Sequence, residues 1–240
     1  MKNRFPFLLL LILFKITNIQ AQKQPIALNW LSKTTPSVSR SVMAQNALIK
    51  TGISWGVPFK RGEVQPTASF FLKDNTGQTL PLQTWTNAYW DDGSLKWLGL
   101  ATVAKGDEKV FELGMGKSER INNISINITN TPLGINVKNG RIACKIPKIG
   151  HVLLDSMAID GRIIGNGGHL TCLWQNGADD DFMTDVKKDV YKSLIQKVEI
   201  EQKGEVKTVI RIEGKMYNGQ REWLPFIVRL YFMQGLKMCA

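Results

Sequence analysis

The chain has 240 residues, 31 basic and 20 acidic side chains, a formal charge of +11 and 43% hydrophobic residues. That balance suits contact with anionic polymers such as polyuronates, nucleic acids or phospholipid surfaces, but the Lys and Arg residues are scattered, without the run that would form a nucleic-acid arm, so no nucleic-acid partner is expected. Three cysteines, Cys144, Cys172 and Cys239, form no C-x-x-C pair and leave an odd total, which excludes a disulfide framework as the basis of stability.

Residues 1–21 have the layout of a secretory signal peptide. Lys2 and Arg4 precede an apolar run from Phe5 to Phe14, and Ala21 stands before Gln22. Lys15 ends that run well short of the roughly 20 apolar residues a membrane span requires. The expectation is cleavage near Ala21, export to the periplasm or beyond, and no transmembrane segment afterwards. Ile19 departs from the usual small residue before the cleavage site. Without Lys2, Arg4 and Lys15 the chain keeps a charge of +8.

From Ile53 to Val103 the chain is dense in Trp, Phe, Gly and Pro and has no helical period, which predicts short strands and turns. Leu95, Trp97, Gly99, Ala101 and Val103 fall on one face of a strand while Leu98 and Leu100 make the other apolar, so this strand should be central. Asp92-Gly93 before it is a hairpin signal, with Tyr89 and Trp90 just ahead of the turn. Farther on, Ile124, Ile126 and Ile128 alternate, as do Ile135 and Val137, and Asn139-Gly140 leads into Ile142, Cys144 and Ile146, the pattern of a β-meander. Lys203-Gly204 and Asn218-Gly219 punctuate two more hairpins, the second opening the run Trp223 to Phe232. The spacing from Asp179 to Lys192, acidic first and basic later, predicts the one helix. The whole predicts an all-β, antiparallel chain of the sandwich or barrel kind. Phe226 to Phe232 has the composition of a central strand with only Met233 to Ala240 beyond it, so a truncated frame is expected.

Gly52-Ile53-Ser54-Trp55-Gly56 matches the G-x-S-x-G nucleophile elbow, but Val57-Pro58 follows at once and denies it the helix such an elbow needs, which favours a Gly-flanked turn into a strand. His151 and His169 with Cys144 and Cys172 have spacings foreign to structural zinc sites. Gly165-Asn166-Gly167-Gly168 lacks the context of a dinucleotide loop and predicts a flexible turn. Asp179, Asp180, Asp181 and Asp185 offer hard oxygen ligands suited to calcium, or equally a solvated acidic helix start; no other cofactor is expected. Trp85, Tyr89, Trp90 and Trp97, with Asp91, Asp92 and Lys96 among them, form the richest aromatic and polar cluster. Flat rings with polar neighbours suit a sugar, so Trp85, Tyr89, Trp90, Asp92 and Lys96 are the candidate substrate-binding residues. The same rings would also serve as barrel filling.

The block running from GISWGVPFKRGEV to FFLKDNTGQTLPLQTWTNAYWDDGSLKWLGLATVA resembles the N-terminal barrel of the exo-acting rhamnogalacturonan lyase family. The likeness is carried by Gly52, Trp55, Gly56, Val57 and Pro58, by Pro81, Leu82, Gln83 and Trp85, and by Tyr89, Trp90, Asp92, Gly93, Ser94, Lys96 and Trp97. The resemblance implies a RIFT-type β-barrel over about residues 25–105, the start of an antiparallel β-sandwich over about 120–240, and none of the helical toroid that follows in the family. It further implies β-elimination on an acidic, plant-type polysaccharide, in which a base removes the proton beside a uronate carboxylate and fixed donors stabilise the developing charge. No position here matches a catalytic residue of the family, so none is assigned. Two functions stay open: a fragment of an exported lyase, and a non-catalytic carbohydrate-binding or structural β-protein. Exposed rings would favour the second and buried rings the first.

Overall fold

The structure is a computed structural model, which describes residues 25–29, 50–105, 110–117, 125–177 and 186–236. Within these, the chain is all β and every strand pairing is antiparallel. None of the described residues forms a helix long and apolar enough to cross a membrane.

The N-terminal part comprises β1 (Ile26–Asn29), β2 (Lys50–Pro58), β3 (Phe70–Asp74), β4 (Thr79–Leu80), β5 (Leu82–Tyr89), β6 (Leu95–Lys105) and β7 (Val110–Met115). They form two sheets, ordered β1-β7-β3-β4 and β2-β6-β5. The sheets close over a core of Val57, Phe59, Val64, Phe70, Leu72, Leu95, Leu98, Leu100, Phe111 and Leu113. Leu72 and Leu100 are fully buried, each contributing about 1.5–3 kcal/mol through the apolar surface it removes from water. β6 is central, as its composition requires. Its two faces are not divided as strict alternation would have them. The β5–β6 register skips Asn87 and Lys96, so Leu95 turns inward beside Leu98 and Leu100 while Trp97 stays outside.

Gly52 to Gly56 lies inside β2 rather than in a turn before a strand, because the pairing with β6 is unbroken from Lys50 to Pro58. The Asp92-Gly93 hairpin forms, with Gly93 at φ 80° and Trp90 N donating to Ser94 O at 2.8 Å.

The second part comprises β8 (Asn127–Asn130), β9 (Gly134–Lys138), β10 (Ile142–Pro147), β11 (Leu154–Ile159), β12 (Arg162–Gly168), β13 (Thr171–Gln175), β14 (Lys188–Gln202), β15 (Lys207–Tyr217) and β16 (Glu222–Met233). A five-stranded meander, β12-β11-β10-β9-β8, faces a four-stranded one, β13-β14-β15-β16. Ile135, Val137, Ile142, Cys144 and Ile146 from the first meet Ile195, Ile210, Ile212 and Phe232 from the second. Asn139 fastens the two sheets. Its Nδ2 donates to Met233 O at 2.7 Å and to Leu236 O at 3.0 Å, while its Oδ1 accepts from Arg141 N and Ile142 N. A side chain so buried is tolerable because all its polar capacity is used.

Two expectations change here. Lys188 to Lys192 opens β14 instead of closing a helix, because Tyr191, Ser193 and Ile195 alternate inward at the period of a strand; Asp179, Asp180, Asp181 and Asp185 lie outside the described residues. Gly165 to Gly168 belongs to β12, paired with β11, and only Gly167 takes a positive φ. Among the described residues β16 stands at the edge of its sheet. Phe226, Val228 and Leu230 face the sandwich core, whereas Leu224 and Ile227 on the other side are exposed. At the far end of the strand Met233 packs with Ala101 and Val103 of the barrel.

Candidate functional site

The outer face of the β2-β6-β5 sheet is built in rows of cross-strand partners. Gly52 pairs with Val103, and Met233 fills the space above Gly52, where a Cβ would collide with it. In the next row Ser54 and Gln83 flank Ala101. Gln83 Oε1 accepts from Val206 N at 3.1 Å and Lys207 N at 2.8 Å. Gly204 is needed there because a Cβ on it would strike the Gln83 amide. Ala101, Val103, Val206 and Met233 bury one another, with Trp85 and Leu236 packed against them. These two rows are the seat of the sandwich on the barrel.

The following row is Gly56, Gly99 and Trp85. Trp97 lies against Gly56 and Trp85 against Gly99, and a Cβ at either glycine would run into the indole. Gly56 and Gly99 are direct partners, so the two indoles rest on neighbouring backbone and make one aromatic shelf. Trp97 remains 42% exposed.

Lys207 stands at the step between the seat and the shelf. Its Nζ lies 3.0 Å from Ser54 Oγ, 5.2 Å from the Trp85 ring centre and 5.4 Å from that of Tyr231. The residue is only 9% exposed, and no carboxylate of the described residues lies within ion-pair distance of it. Burial pushes its pKa below the ordinary lysine value, as expected when a charge leaves water without a counter-charge. Two ring faces and one hydroxyl offset part of that cost.

The candidates named from the sequence therefore separate. Trp85 belongs to the shelf. Trp90 is half-buried, its Nε1 donates to Phe59 O at 3.0 Å, and Lys96 Nζ sits 4.4 Å from its ring centre. Asp92 shapes the hairpin, accepting from Ser94 N at 2.9 Å and Ser94 Oγ at 2.5 Å. Those bonds, the Ser94 hydroxyl's foremost, hold its carboxyl below the usual range. Arg61 bridges Asp91 and Asp92 at 2.9 and 3.4 Å. Tyr89 is 57% exposed at the same tip. Tyr89, Trp90, Asp92 and Lys96 thus make a turn at the barrel tip, distinct in its contacts from the shelf.

Trp97 and Lys207 complete the shelf and were not among those candidates. Trp97 stood in the aromatic cluster of the sequence, but its seat on Gly56 depends on the pairing of β6 with β2, which local pattern does not show. Lys207 gave no signal, because alternation along Lys207, Thr208, Val209 and Ile210 places it on a face that would be solvent in an isolated sandwich.

Ser54, the would-be elbow serine, is an acceptor for Lys207 and has no histidine among its hydrogen-bond partners. His151 Nδ1 lies 2.8 Å from Ser193 O, with its ring stacked on Tyr217, and His169 Nδ1 lies 3.0 Å from Gly167 O. Among the described residues no group of three or more His, Cys, Asp or Glu side chains is placed to hold a metal. A hollow at the barrel end, lined by Phe59, Val64, Phe70, Leu113 and Met115, is apolar apart from Glu63.

Two family models agree with this architecture. Residues 24–113 match the model of the PcRGLX-like N-terminal RIFT barrel domain, and residues 126–239 match that of the PcRGLX-like protein central beta sandwich domain. The uncharacterized protein YetA of Bacillus subtilis (strain 168) is 32% identical over 190 residues, which is 78% of this chain and 22% of that protein. This chain therefore spans about a fifth of that relative's length. A solved protein of glycosyl hydrolase family 38 from Enterococcus faecalis aligns with 88% of this chain and 30% of its own, at 13% identity and a TM-score of 0.45. Two successive domain matches, on the barrel and the sandwich that the strands themselves form, make this chain a member of the PcRGLX-like, rhamnogalacturonan lyase-like family.

Proposed function

We propose that this chain is the barrel and sandwich portion of an exported polysaccharide lyase-like protein that engages an acidic, pectin-type polysaccharide, with β-elimination performed where further domains complete the cleft. The observation that carries the sugar-engaging half of this reading is the shelf of Trp85 and Trp97 on bare glycine backbone, open on its outer side. A non-catalytic carbohydrate-binding protein would share that exposure, and the lyase half is supported by the family match alone. Two neighbouring indoles beside a cation suit sugar rings, which stack through their C–H faces and keep their hydroxyls for polar neighbours. No residue of the chain is assigned to proton abstraction. The leader of residues 1–21 supports export to the periplasm or beyond, and the acidic cluster from Asp179 to Asp185 remains a candidate for calcium.

Affinity electrophoresis of the chain in gels containing rhamnogalacturonan or polygalacturonate tests the binding half of this proposal. Retardation is expected, and Trp97→Ala should abolish most of it while leaving the melting temperature nearly unchanged. Unretarded migration in both gels would overturn it. The lyase half is tested by ultraviolet absorbance of unsaturated uronate ends when the chain is supplied together with its downstream domains.

A further inference from the structure

The shelf and the step beside it differ in what they can recognise. An indole face takes a neutral sugar and a charged one alike, because stacking senses apolar C–H surface. Lys207 is different. It presents an ammonium with three donors, of which one reaches Ser54 Oγ, inside a site that removes it from nine-tenths of its solvent. Gln83 does not compensate it, since its Oε1 is occupied by the two backbone N–H groups of Val206 and Lys207. Carboxylates nearby on the same sheet are committed elsewhere: Glu201 to Arg229 at 2.7 Å, Glu199 to Lys197 at 2.6 Å and Arg211 at 3.2 Å, and Glu213 to Arg211 at 3.2 Å. A buried charge is costly unless it is paired and hydrogen-bonded, and here one stands at the edge of an aromatic shelf with no counter-ion among the described residues.

We propose that Lys207 is a specificity-determining residue that receives the carboxylate of a hexuronic acid whose ring lies on the Trp97–Trp85 shelf, so that the site selects charged over neutral sugar units. This rests on the shelf being a sugar site, as proposed above. A pyranose stacked on the exposed indole of Trp97 would have Trp85 beside it across the Gly56–Gly99 pair, and Lys207 Nζ, 5.2 Å from the Trp85 ring centre, is the cation its C5 carboxylate would meet. The ring faces of Trp85 and Tyr231 wall the cation in, so a carboxylate arriving there meets little competition from water, and the charge-assisted hydrogen bond is correspondingly strong.

The test titrates the chain with trigalacturonate and with its fully methyl-esterified form, following tryptophan fluorescence, for the wild type, Lys207→Met, Lys207→Gln and Lys207→Arg. The wild type should prefer the acid by about tenfold or more, the size of one charge-assisted hydrogen bond. Lys207→Met and Lys207→Gln should bring that ratio to about one while the ester's affinity stays the same, and Lys207→Arg should keep a preference for the acid. Equal wild-type affinity for the two ligands would overturn the assignment of Lys207 without recourse to any variant, and leave the sugar site standing. So would a loss of both affinities together in the Met and Gln variants, which would make Lys207 a structural tie between barrel and sandwich. Binding of neither ligand by the wild type would overturn the sugar site itself, and Lys207's role with it.

Discussion

The barrel tip and the barrel–sandwich junction each bring a lysine to a tryptophan face, yet the two charges live under opposite conditions. At the tip Lys96 covers Trp90 in the company of Arg61, Asp91 and Asp92, two cations with two anions, mostly exposed. Water and neighbouring charge satisfy every group, and the outcome is an ordered turn. At the junction Lys207 lies between Trp85 and Tyr231, shielded from water and with Ser54 as its hydrogen-bond acceptor. The same residue pair is structural punctuation in one place and an incomplete electrostatic arrangement in the other. What decides is the set of neighbours brought in from distant parts of the chain.

The strongest way to break this contrast is to disturb the bed beneath the shelf. Gly99→Val would force the Trp85 indole off the backbone, and with it one wall around Lys207. Urea unfolding should show a loss of about 1–3 kcal/mol, the usual cost of overpacking, and retardation by polygalacturonate should disappear. The next effect has the opposite sign. Lys207→Met replaces a desolvated charge by an apolar side chain of similar length and should leave the chain as stable or about 1 kcal/mol more stable at neutral pH. Because burial lowers the lysine's pKa in the folded chain below the ordinary 10.5, the penalty is fully present below the folded pKa. It shrinks as pH rises from there toward the unfolded value, where both states lose the proton. The gap in melting temperature between variant and wild type should therefore close toward pH 10.5; a gap that widens would mean that the ammonium is stabilising where it sits. The smallest effect belongs to the tip. Arg61→Ala removes exposed ion pairs whose worth is marginal, and thermal melts should show no resolvable change, with polygalacturonate binding intact.

Much of this architecture was legible in the residues. Alternation at Ile135 to Ile146 and at Thr208 to Ile212, with Asn-Gly and Lys-Gly between the runs, specifies meanders because a period of two leaves one face for a core. The barrel motif was legible as a pattern, and the structure supplies its reasons: Gly56 makes room for Trp97, Gln83 anchors the sandwich, and Asp92 with Ser94 closes a hairpin. The segment from Lys188 to Lys192 was misread because charge order at a helix terminus is a weak preference, easily outweighed by the pairing of Tyr191 with Cys172 and of Lys192 with Thr171 and Tyr217. The candidate site was only half legible. Trp85 and Lys96 are near in sequence and apart in environment, while Trp85 and Lys207 are far in sequence and meet only when one domain sits on the other. Local pattern carries no information about that meeting.

The polar bonds that seat the sandwich on the barrel and fasten its own two sheets also set an order of events. Gln83 waits for partners 123 and 124 residues later, and Asn139 for partners 94 and 97 residues later. Hairpins such as β5–β6 close short loops and gain their contacts early, whereas contacts this remote come only after the entropy of a long loop has been lost. The barrel can therefore organise its interior while its outer face is still bare, and the aromatic shelf acquires its cation last. Until then Ala101, Val103 and Trp85 form an apolar surface on a nearly finished barrel, and the proposed sugar site is complete only once the sandwich is seated.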